Sequence, residues 1–146
     1  MTADVDHLPA LPIAFQGEPG AFGEDALIAC FGDQAARVAL PGFGDVFTAV
    51  ADGVAAAGVA PIENSLHGSV LEVCDLLLAR DVAVIGEVTV PVRHCLLGRS
   101  GAALADIAVA RSHPQALAQS RSFLEEHRIE ARAATNTARA ARDLAA

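Results

Sequence analysis

The sequence predicts an α/β fold with mainly parallel sheets, helices on both faces, and two lobes. Short apolar runs alternate with helix-like segments from residue 12 onward, an order typical of parallel sheets wrapped by helices. A β-rich run, VAVIGEVTVPVRHCLLG, then contains Pro91, which no single central strand could hold, and we interpret it as a crossover. We therefore expect a leader at residues 1–11, a first lobe at 12–88 and a second lobe at 89–146.

The first lobe is predicted to alternate three strands and three helices. LPIAFQG is the first strand, and EPGAFGEDALIACFG gives a helix that ends at Gly32. ARVALPGF is the second strand, and DVFTAVADG gives a helix that Asp45 opens and Gly53 stops. GVAPIENS is the third strand, and SVLEVCDLLLARD is a helix with Ser69 and Glu72 as a capping box. The buried side of the first helix is predicted at Ala21, Phe22, Ala26, Ile28 and Ala29.

The second lobe is predicted to continue the same alternation. DIAVARS is a strand, HPQALAQSRSFLEEHR is one helix begun by Pro114, and IEARAA is a further strand before the helix NTARAARDLAA. The sequence reaches its last residue inside that helix without a Gly or Pro stop signal. We therefore expect an incomplete domain.

Composition excludes several classes of function. The 146 residues are 53% hydrophobic, with a net charge of −8, ten arginines and no lysine, so a basic face for nucleic acid is not expected. The absence of lysine from the sequence also removes Schiff-base chemistry and the P-loop lysine. No apolar run reaches the length of a membrane span. Three cysteines, Cys30, Cys74 and Cys95, stand in apolar surroundings and indicate reduced core thiols in a cytoplasmic protein.

Four polar turns mark the predicted starts of helices, at residues 17–22, 63–69, 112–115 and 135–137. Ligands of open α/β sheets bind at the carboxyl ends of strands, where helix N-termini expose N–H groups. Such residues also serve simply as helix caps, each worth about 1 kcal/mol. Both interpretations stay open for His113, which is expected to cap a helix with its ring free to point into a cleft.

Metal and cofactor sites are not expected. Glu63 and His67 lie four residues apart but flank a turn, and no Cys/His cluster supports them as ligands. GFG at 42–44 lacks the later glycine of a dinucleotide-binding motif and is interpreted as a loop.

The motifs together resemble the prephenate dehydratase family. IAFQGEPGAF, GVAPIENSLHGSV, DLL, IGE, RHCLLG, SHPQALAQ and TNTARAA follow the family's order and spacing over residues 13–142. The resemblance implies a fold like that of type II periplasmic binding proteins, with the active site in a cleft between two lobes. It implies conversion of prephenate to phenylpyruvate, water and carbon dioxide in L-phenylalanine biosynthesis, with no metal or organic cofactor.

The resemblance also implies roles for individual residues. The hydroxyls of Ser112 and Thr137 are expected to take part in catalysis. The residues expected to bind prephenate are Asn64, Ser65, Gly68, His113, Gln115, Ala21 and Phe22, the last two through the backbone of the first turn.

Two departures from the family's pattern qualify these roles. The first turn has Gly23 where the family usually has Ser, and the sequence contains no Thr-Arg-Phe motif, which in the family supplies a candidate for the essential acid. We expect this polypeptide on its own to lack full dehydratase activity. A ligand-binding module without turnover and an arogenate dehydratase remain as alternatives, and a homo-oligomer is left open.

Overall fold

The structure, a computed structural model, describes residues 10–66 and 68–145. The chain forms two compact units, residues 1–91 (unit 1) and 92–146 (unit 2). The division lies close to the predicted lobe boundary between residues 88 and 89, and the assignment of lobes stays a prediction. Most of the predicted leader lies outside the described residues. Among those described, no helix has the length and apolar character to cross a membrane.

Unit 1 is built on a three-stranded parallel sheet. Its strands are β1 (Ile13–Gln16), β2 (Arg37–Leu40) and β3 (Ala57–Val59), in the order β2-β1-β3. Helices α1 (Phe22–Phe31), α2 (Phe43–Ala51) and α3 (Leu71–Ala79) follow the three strands in turn along the chain. The parallel sheet with connecting helices confirms this part of the fold prediction.

Helices cover both faces of the sheet, and successive side chains of β1 point to opposite faces. Ile13 and Phe15 pack with Leu27 of α1 on one face, while Ala14 packs with Val46 of α2 on the other. The predicted buried side of α1 is wrong in part. Leu27 is the fully buried residue of that helix, whereas Ala29 is exposed.

In unit 1, the end of α1 lies where the sequence predicts it, but the start of α2 does not. Gly32 ends α1 as predicted, with φ of 83°. Helix α2 begins two residues before Asp45, which accepts a 3.0 Å hydrogen bond from the Gly42 N–H instead of opening the helix. The GFG segment is therefore the start of a helix and not a loop.

The third predicted strand is shorter than expected. It ends at Val59, because Pro61 has no N–H for the ladder, and the chain then forms an antiparallel hairpin of β4 (Glu63–Asn64) and β5 (Gly68–Ser69). Ser69 lies in that hairpin and does not cap α3. Val70 occupies the cap position with no side-chain cap bond, so the predicted capping box is wrong.

The β-rich run has no regular structure. Residues 82–99 belong to no strand or helix, although Val84, Ile85, Val88, Val92 and Leu97 give the run its strand-like pattern. A strand needs a backbone partner, which the pattern of one segment cannot supply. The prediction of a β-rich segment is therefore wrong for these residues.

Unit 2 is a parallel β-α-α-β arrangement followed by a helix. Strands β6 (Val109–Ser112) and β7 (Glu130–Ala133) pair in parallel, with a short 3-10 helix at Leu104–Asp106 before them. The predicted single helix is two, α4 (Pro114–Gln119) and α5 (Arg121–Glu126), broken at Ser120. Pro114 begins α4 as predicted, and α6 (Thr137–Ala145) follows β7.

The three cysteines are free, but they are not all core residues. Cys30 and Cys74 are half-buried, and burial raises the pKa of the Cys30 thiol. Cys95 is exposed within the irregular run, so the prediction of a core thiol is wrong for that residue.

Candidate active site

The residues predicted from the second half of the chain collect at one edge of unit 2. Ser112 is the last residue of β6 and pairs with Ala133, the last residue of β7. Because the strands are parallel, both chain segments leave the sheet at the same edge. The Ala134 N–H donates a 2.8 Å hydrogen bond to the Ser112 carbonyl and extends the pairing by one residue. The chain then turns into α4 after β6 and into α6 after β7, so both helix N-termini follow this edge.

His113 caps helix α4, as the sequence predicts. Its Nδ1 accepts a 3.2 Å hydrogen bond from the Gln115 N–H, and its carbonyl accepts from the Leu117 N–H at 3.1 Å. Because Nδ1 is the acceptor, a neutral ring carries its proton on Nε2. The ring is thus not entirely free, since one nitrogen is used within the helix turn and only Nε2 is left for a ligand.

Thr137 is the first residue of α6 and is half-buried. The preceding residue, Asn136, caps the helix, because its Oδ1 accepts from the Arg139 N–H at 2.7 Å and its carbonyl accepts from the Ala140 N–H at 3.2 Å. Capping therefore does not require the Thr137 hydroxyl, which leaves that group available for chemistry. Ser112 is half-buried as well, and Gln115 is exposed.

A hydrogen bond fixes α4 against the segment before β6. Nε2 of His94 and Oε1 of Gln119, at the last position of α4, are 2.5 Å apart. The amide oxygen can only accept, so His94 donates. This contact ties the RHCLLG segment to the helix that follows Ser112, a link that the sequence motifs did not indicate.

In unit 1, Asn64 and Ser65 lie in the hairpin and not at the end of the sheet strand. Asn64 Oδ1 accepts a 2.9 Å hydrogen bond from the Leu66 N–H, so its oxygen shapes the turn and its amide N–H₂ group is the part that can face a ligand. Ser65 is exposed. Gly68 has φ of 74°, a left-handed conformation that a side chain would disfavour. His67 lies outside the described residues, so the structure does not test the Glu63–His67 pair, which is not expected to bind a metal.

The first turn of unit 1 is already bound to a carboxylate of the chain. Oε2 of Glu24 accepts a 2.6 Å hydrogen bond from the Gly20 N–H, and its other oxygen lies 3.1 Å from Nε of Arg37. The Ala21 N–H donates to the Glu18 carbonyl at 3.0 Å. Contact of a substrate carboxylate with the backbone of Ala21 and Phe22 stays a prediction, and Glu24 would compete with it.

Unit 2 also contains charged residues that the motifs did not single out. A shallow depression of about 450 Å³ lies beside β6 and β7 and extends along α6. Its lining consists of Arg111, Ala133, Ala134, Thr135, Arg139 and Asp143. No group of three or more His, Cys, Asp or Glu residues able to hold a metal ion occurs within residues 10–66 and 68–145.

Known proteins resemble this chain over nearly its whole length. The family model for prephenate dehydratase matches residues 13–146. A curated relative from Arabidopsis thaliana, named arogenate dehydratase/prephenate dehydratase 2, chloroplastic, is 37% identical over 145 residues, which cover 99% of this chain and 38% of the relative.

Two solved structures share the fold. A prephenate dehydratase in complex with L-Phe from Arthrobacter aurescens superposes with a TM-score of 0.85 at 30% identity, covering 93% of this chain and 46% of that one. A protein described as GqqA, a novel type of quorum quenching acylase, superposes with a TM-score of 0.79 at 35% identity, covering 90% and 48%.

The chain thus spans about two fifths of that curated relative and about half of these solved chains. The similarity confirms the predicted α/β fold of the type II periplasmic-binding-protein kind. With a family match that includes residues 13–146, this chain belongs to the prephenate dehydratase family.

Proposed function

We propose that this chain carries part of the substrate site of a dehydratase that converts prephenate to phenylpyruvate in phenylalanine biosynthesis. The observation that carries the proposal is the meeting of Ser112 and the start of α6 at one edge of the parallel β6–β7 pair. The parallel pairing places the SHPQAL and TNTARAA motifs of the family at the carboxyl ends of two neighbouring strands. Family membership over residues 13–146 supports the reaction class.

The reaction requires the protein mainly to position the substrate and to supply a proton to the departing hydroxyl. The bond from the ring carbon to its carboxylate breaks, and its electron pair forms a ring double bond as carbon dioxide leaves. The electrons displaced through the ring leave with the hydroxyl oxygen, which takes up a proton and departs as water. Because the product ring is aromatic, the step is strongly downhill, and a well-placed donor and a partly desolvated carboxylate suffice.

Neutral hydroxyls suit this demand. The Thr137 hydroxyl, not needed for capping and half-buried, would donate a hydrogen bond to the departing hydroxyl, with Ser112 as the neighbouring donor. His113 Nε2 and the exposed Gln115 side chain would contact substrate oxygens. Substrate contacts by Asn64, Ser65, Gly68, Ala21 and Phe22 stay predictions.

Arogenate is the second candidate substrate. It undergoes the same elimination but carries an ammonium group in place of the keto group of prephenate. The Arabidopsis relative is named for both activities, which supports arogenate as a candidate substrate. Competition between the two compounds for the complete gene product separates them, because the better substrate has the larger kcat/KM.

Acyl transfer is a third reaction class, raised by the structural relative described as an acylase. It requires a nucleophile with a base within about 3 Å. His113 is poorly suited to be that base, because Nδ1 accepts from the Gln115 N–H and Nε2 then carries the proton of the neutral ring. The family match over residues 13–146 favours the dehydratase.

The test is formation of phenylpyruvate from prephenate by the complete gene product, with arogenate in a parallel assay. Product from either compound supports a dehydratase, and the ratio of kcat/KM values identifies the substrate. No product from either compound, together with unaltered folding by circular dichroism, would contradict the proposal. The 146-residue polypeptide is assayed alongside, and robust turnover by it would overturn the prediction that it lacks full activity alone.

Location in the cytoplasm and assembly into a homo-oligomer also remain proposals. Reduced, unpaired cysteines support the first, whereas the Arabidopsis relative is chloroplastic by name. Sedimentation of the purified protein tests the second.

A further inference from the structure

We infer that the depression beside β6 and β7 binds the carboxylate and ammonium groups of an α-amino acid. Arg111 and Arg139 are assigned to the carboxylate and Asp143 to the ammonium. All three side chains line the same depression of unit 2. The inference rests in part on the proposed function, because arogenate is itself an α-amino acid, but its test measures binding and not turnover.

The position fits a ligand site. The depression includes Ala133, the last residue of β7, and Ala134 and Thr135, which lead into α6. Ligands of parallel sheets bind beyond the carboxyl ends of strands, where the positive ends of helix dipoles also favour a carboxylate. The exposed hydroxyl of Thr135 adds a neutral donor there.

The guanidinium groups of Arg111 and Arg139 are available to bind a ligand. Ion pairs within residues 10–66 and 68–145 involve Arg37, Arg121 and Arg132, and neither Arg111 nor Arg139 forms one there. A guanidinium presents a planar set of donors that matches a carboxylate. In a chain with a net charge of −8, two such cations beside one depression are a specific arrangement and not a general basic face.

Asp143 indicates that the ligand is a zwitterion and not a simple carboxylate. It lies four residues after Arg139 on α6, so the two share a helix face, with Cβ atoms about 6 Å apart. Yet the pair forms no ion pair in the structure. A lone carboxylate ligand would be repelled by Asp143, whereas an α-amino acid places its ammonium next to its carboxylate and satisfies both signs. Ala133 and Ala134 leave an apolar wall for its side chain.

The test uses three compounds that share the isobutyl side chain of leucine, with binding to the 146-residue chain measured by titration calorimetry and ligand-observed NMR. They are L-leucine, 4-methylpentanoate, which lacks the ammonium, and 3-methylbutylamine, which lacks the carboxylate. Leucine is expected to bind at least ten-fold more tightly than either of the other two. No saturable binding of leucine at millimolar concentration, or equal binding of leucine and 4-methylpentanoate, would overturn the inference.

Variants locate the site. Arg111→Gln and Arg139→Gln are each expected to weaken leucine binding about ten-fold, because each removes a charge-assisted contact. Arg99→Gln, at an exposed arginine of unit 2 outside the depression, is the matched control with less than a two-fold effect. Equal weakening by all three substitutions would indicate a general charge effect and contradict the assignment.

Asp143→Asn separates the two halves of the ligand. It is expected to weaken leucine about ten-fold while leaving 4-methylpentanoate unchanged or bound more tightly, since a repulsive charge is removed. The same loss for both compounds would contradict a contact with the ammonium. Loss of dehydratase turnover in the complete gene product would not bear on this result, because binding is read without catalysis.

Discussion

Unit 1 holds most of the buried core of the described residues, and unit 2 holds Ser112 and Thr137, the two residues proposed for catalysis. Nine of the twelve buried apolar residues in the described part of the chain lie in unit 1, including Phe15, Leu27, Val46 and Val73, the largest side chains that are fully buried. Unit 2 has three, Ala116, Leu124 and Ile129. Substitutions in the buried core of unit 1 should therefore act mainly on folding, and substitutions at the edge of unit 2 mainly on ligand binding and turnover.

The largest expected effect is at Phe15, which is 1% exposed at the centre of the unit 1 sheet. Phe15→Ala should lower the free energy of unfolding by about 3–5 kcal/mol, because it leaves a cavity between β1 and α1. Urea denaturation followed by far-UV circular dichroism measures it, since the chain has no Trp or Tyr. The matched control is Phe123→Ala in unit 2, where the ring is 41% exposed. An equal loss in both variants would contradict the division.

Glycine substitutions test how closely α2 packs on the sheet. A Cβ on Gly58 of β3 would lie 2.7 Å from Cγ1 of Val46, so Gly58→Ala should destabilise the chain by about 1–3 kcal/mol. Gly44→Ala is the control within α2, where an added Cβ meets nothing within 4 Å. That change should stabilise by up to about 1 kcal/mol, because alanine favours the helix. Melting temperatures that shift in the same direction would contradict this packing.

The cap of α6 gives the next largest effect and concerns unit 2. Asn136→Ala removes the acceptor for the Arg139 N–H and should cost about 1 kcal/mol. Asn136→Asp keeps an acceptor and adds a negative charge at the helix N-terminus, so its stability should be retained or raised. Hydrogen exchange of the α6 amides reports the difference. Unchanged exchange in Asn136→Ala would show that the cap does not hold the start of the helix.

The smallest expected effect depends on pH. The hydrogen bond and charge of Arg132 lower the pKa of the Glu130 carboxyl at the start of β7. A carboxyl with a lowered folded pKa stabilises the chain above its unfolded pKa, and the contribution is lost as the pH falls through the folded value. Glu130→Gln should therefore flatten the acid side of the stability curve slightly, with Glu126→Gln as the exposed control. An identical acid profile for wild type and Glu130→Gln would contradict the link.

The sequence predicted much of the framework, and the roles of the site residues stay predictions. The strands of the parallel sheets, the stop at Gly32 and the start at Pro114 follow local signals that the structure preserves. Ser69 shows the limit, because a capping pattern is local, whereas the position of the helix start depended on the hairpin that follows Pro61. The prediction of a β-rich segment at residues 82–99 is wrong for a related reason, since strand formation requires a partner elsewhere in the chain.

The candidate site shows the same limit. His113 could be recognised as a cap because proline follows it, and Thr137 because it belongs to a family motif. Arg111 and Arg139 share a depression only through the packing of α6 near β6, and no spacing in the sequence relates them. The absence of lysine from the sequence was the one available signal, because any anion would then have to meet arginine, hydroxyls or backbone N–H groups.

The most direct test of the central claim is the turnover of the Thr137→Val variant of the complete gene product. If the Thr137 hydroxyl donates to the departing group, kcat for phenylpyruvate formation should fall about 10²-fold with the melting temperature unchanged. Thr89→Val, in the irregular run of unit 1, should keep wild-type kcat. Equal kcat for Thr137→Val and wild type would contradict the assignment of the chemistry to the edge of unit 2.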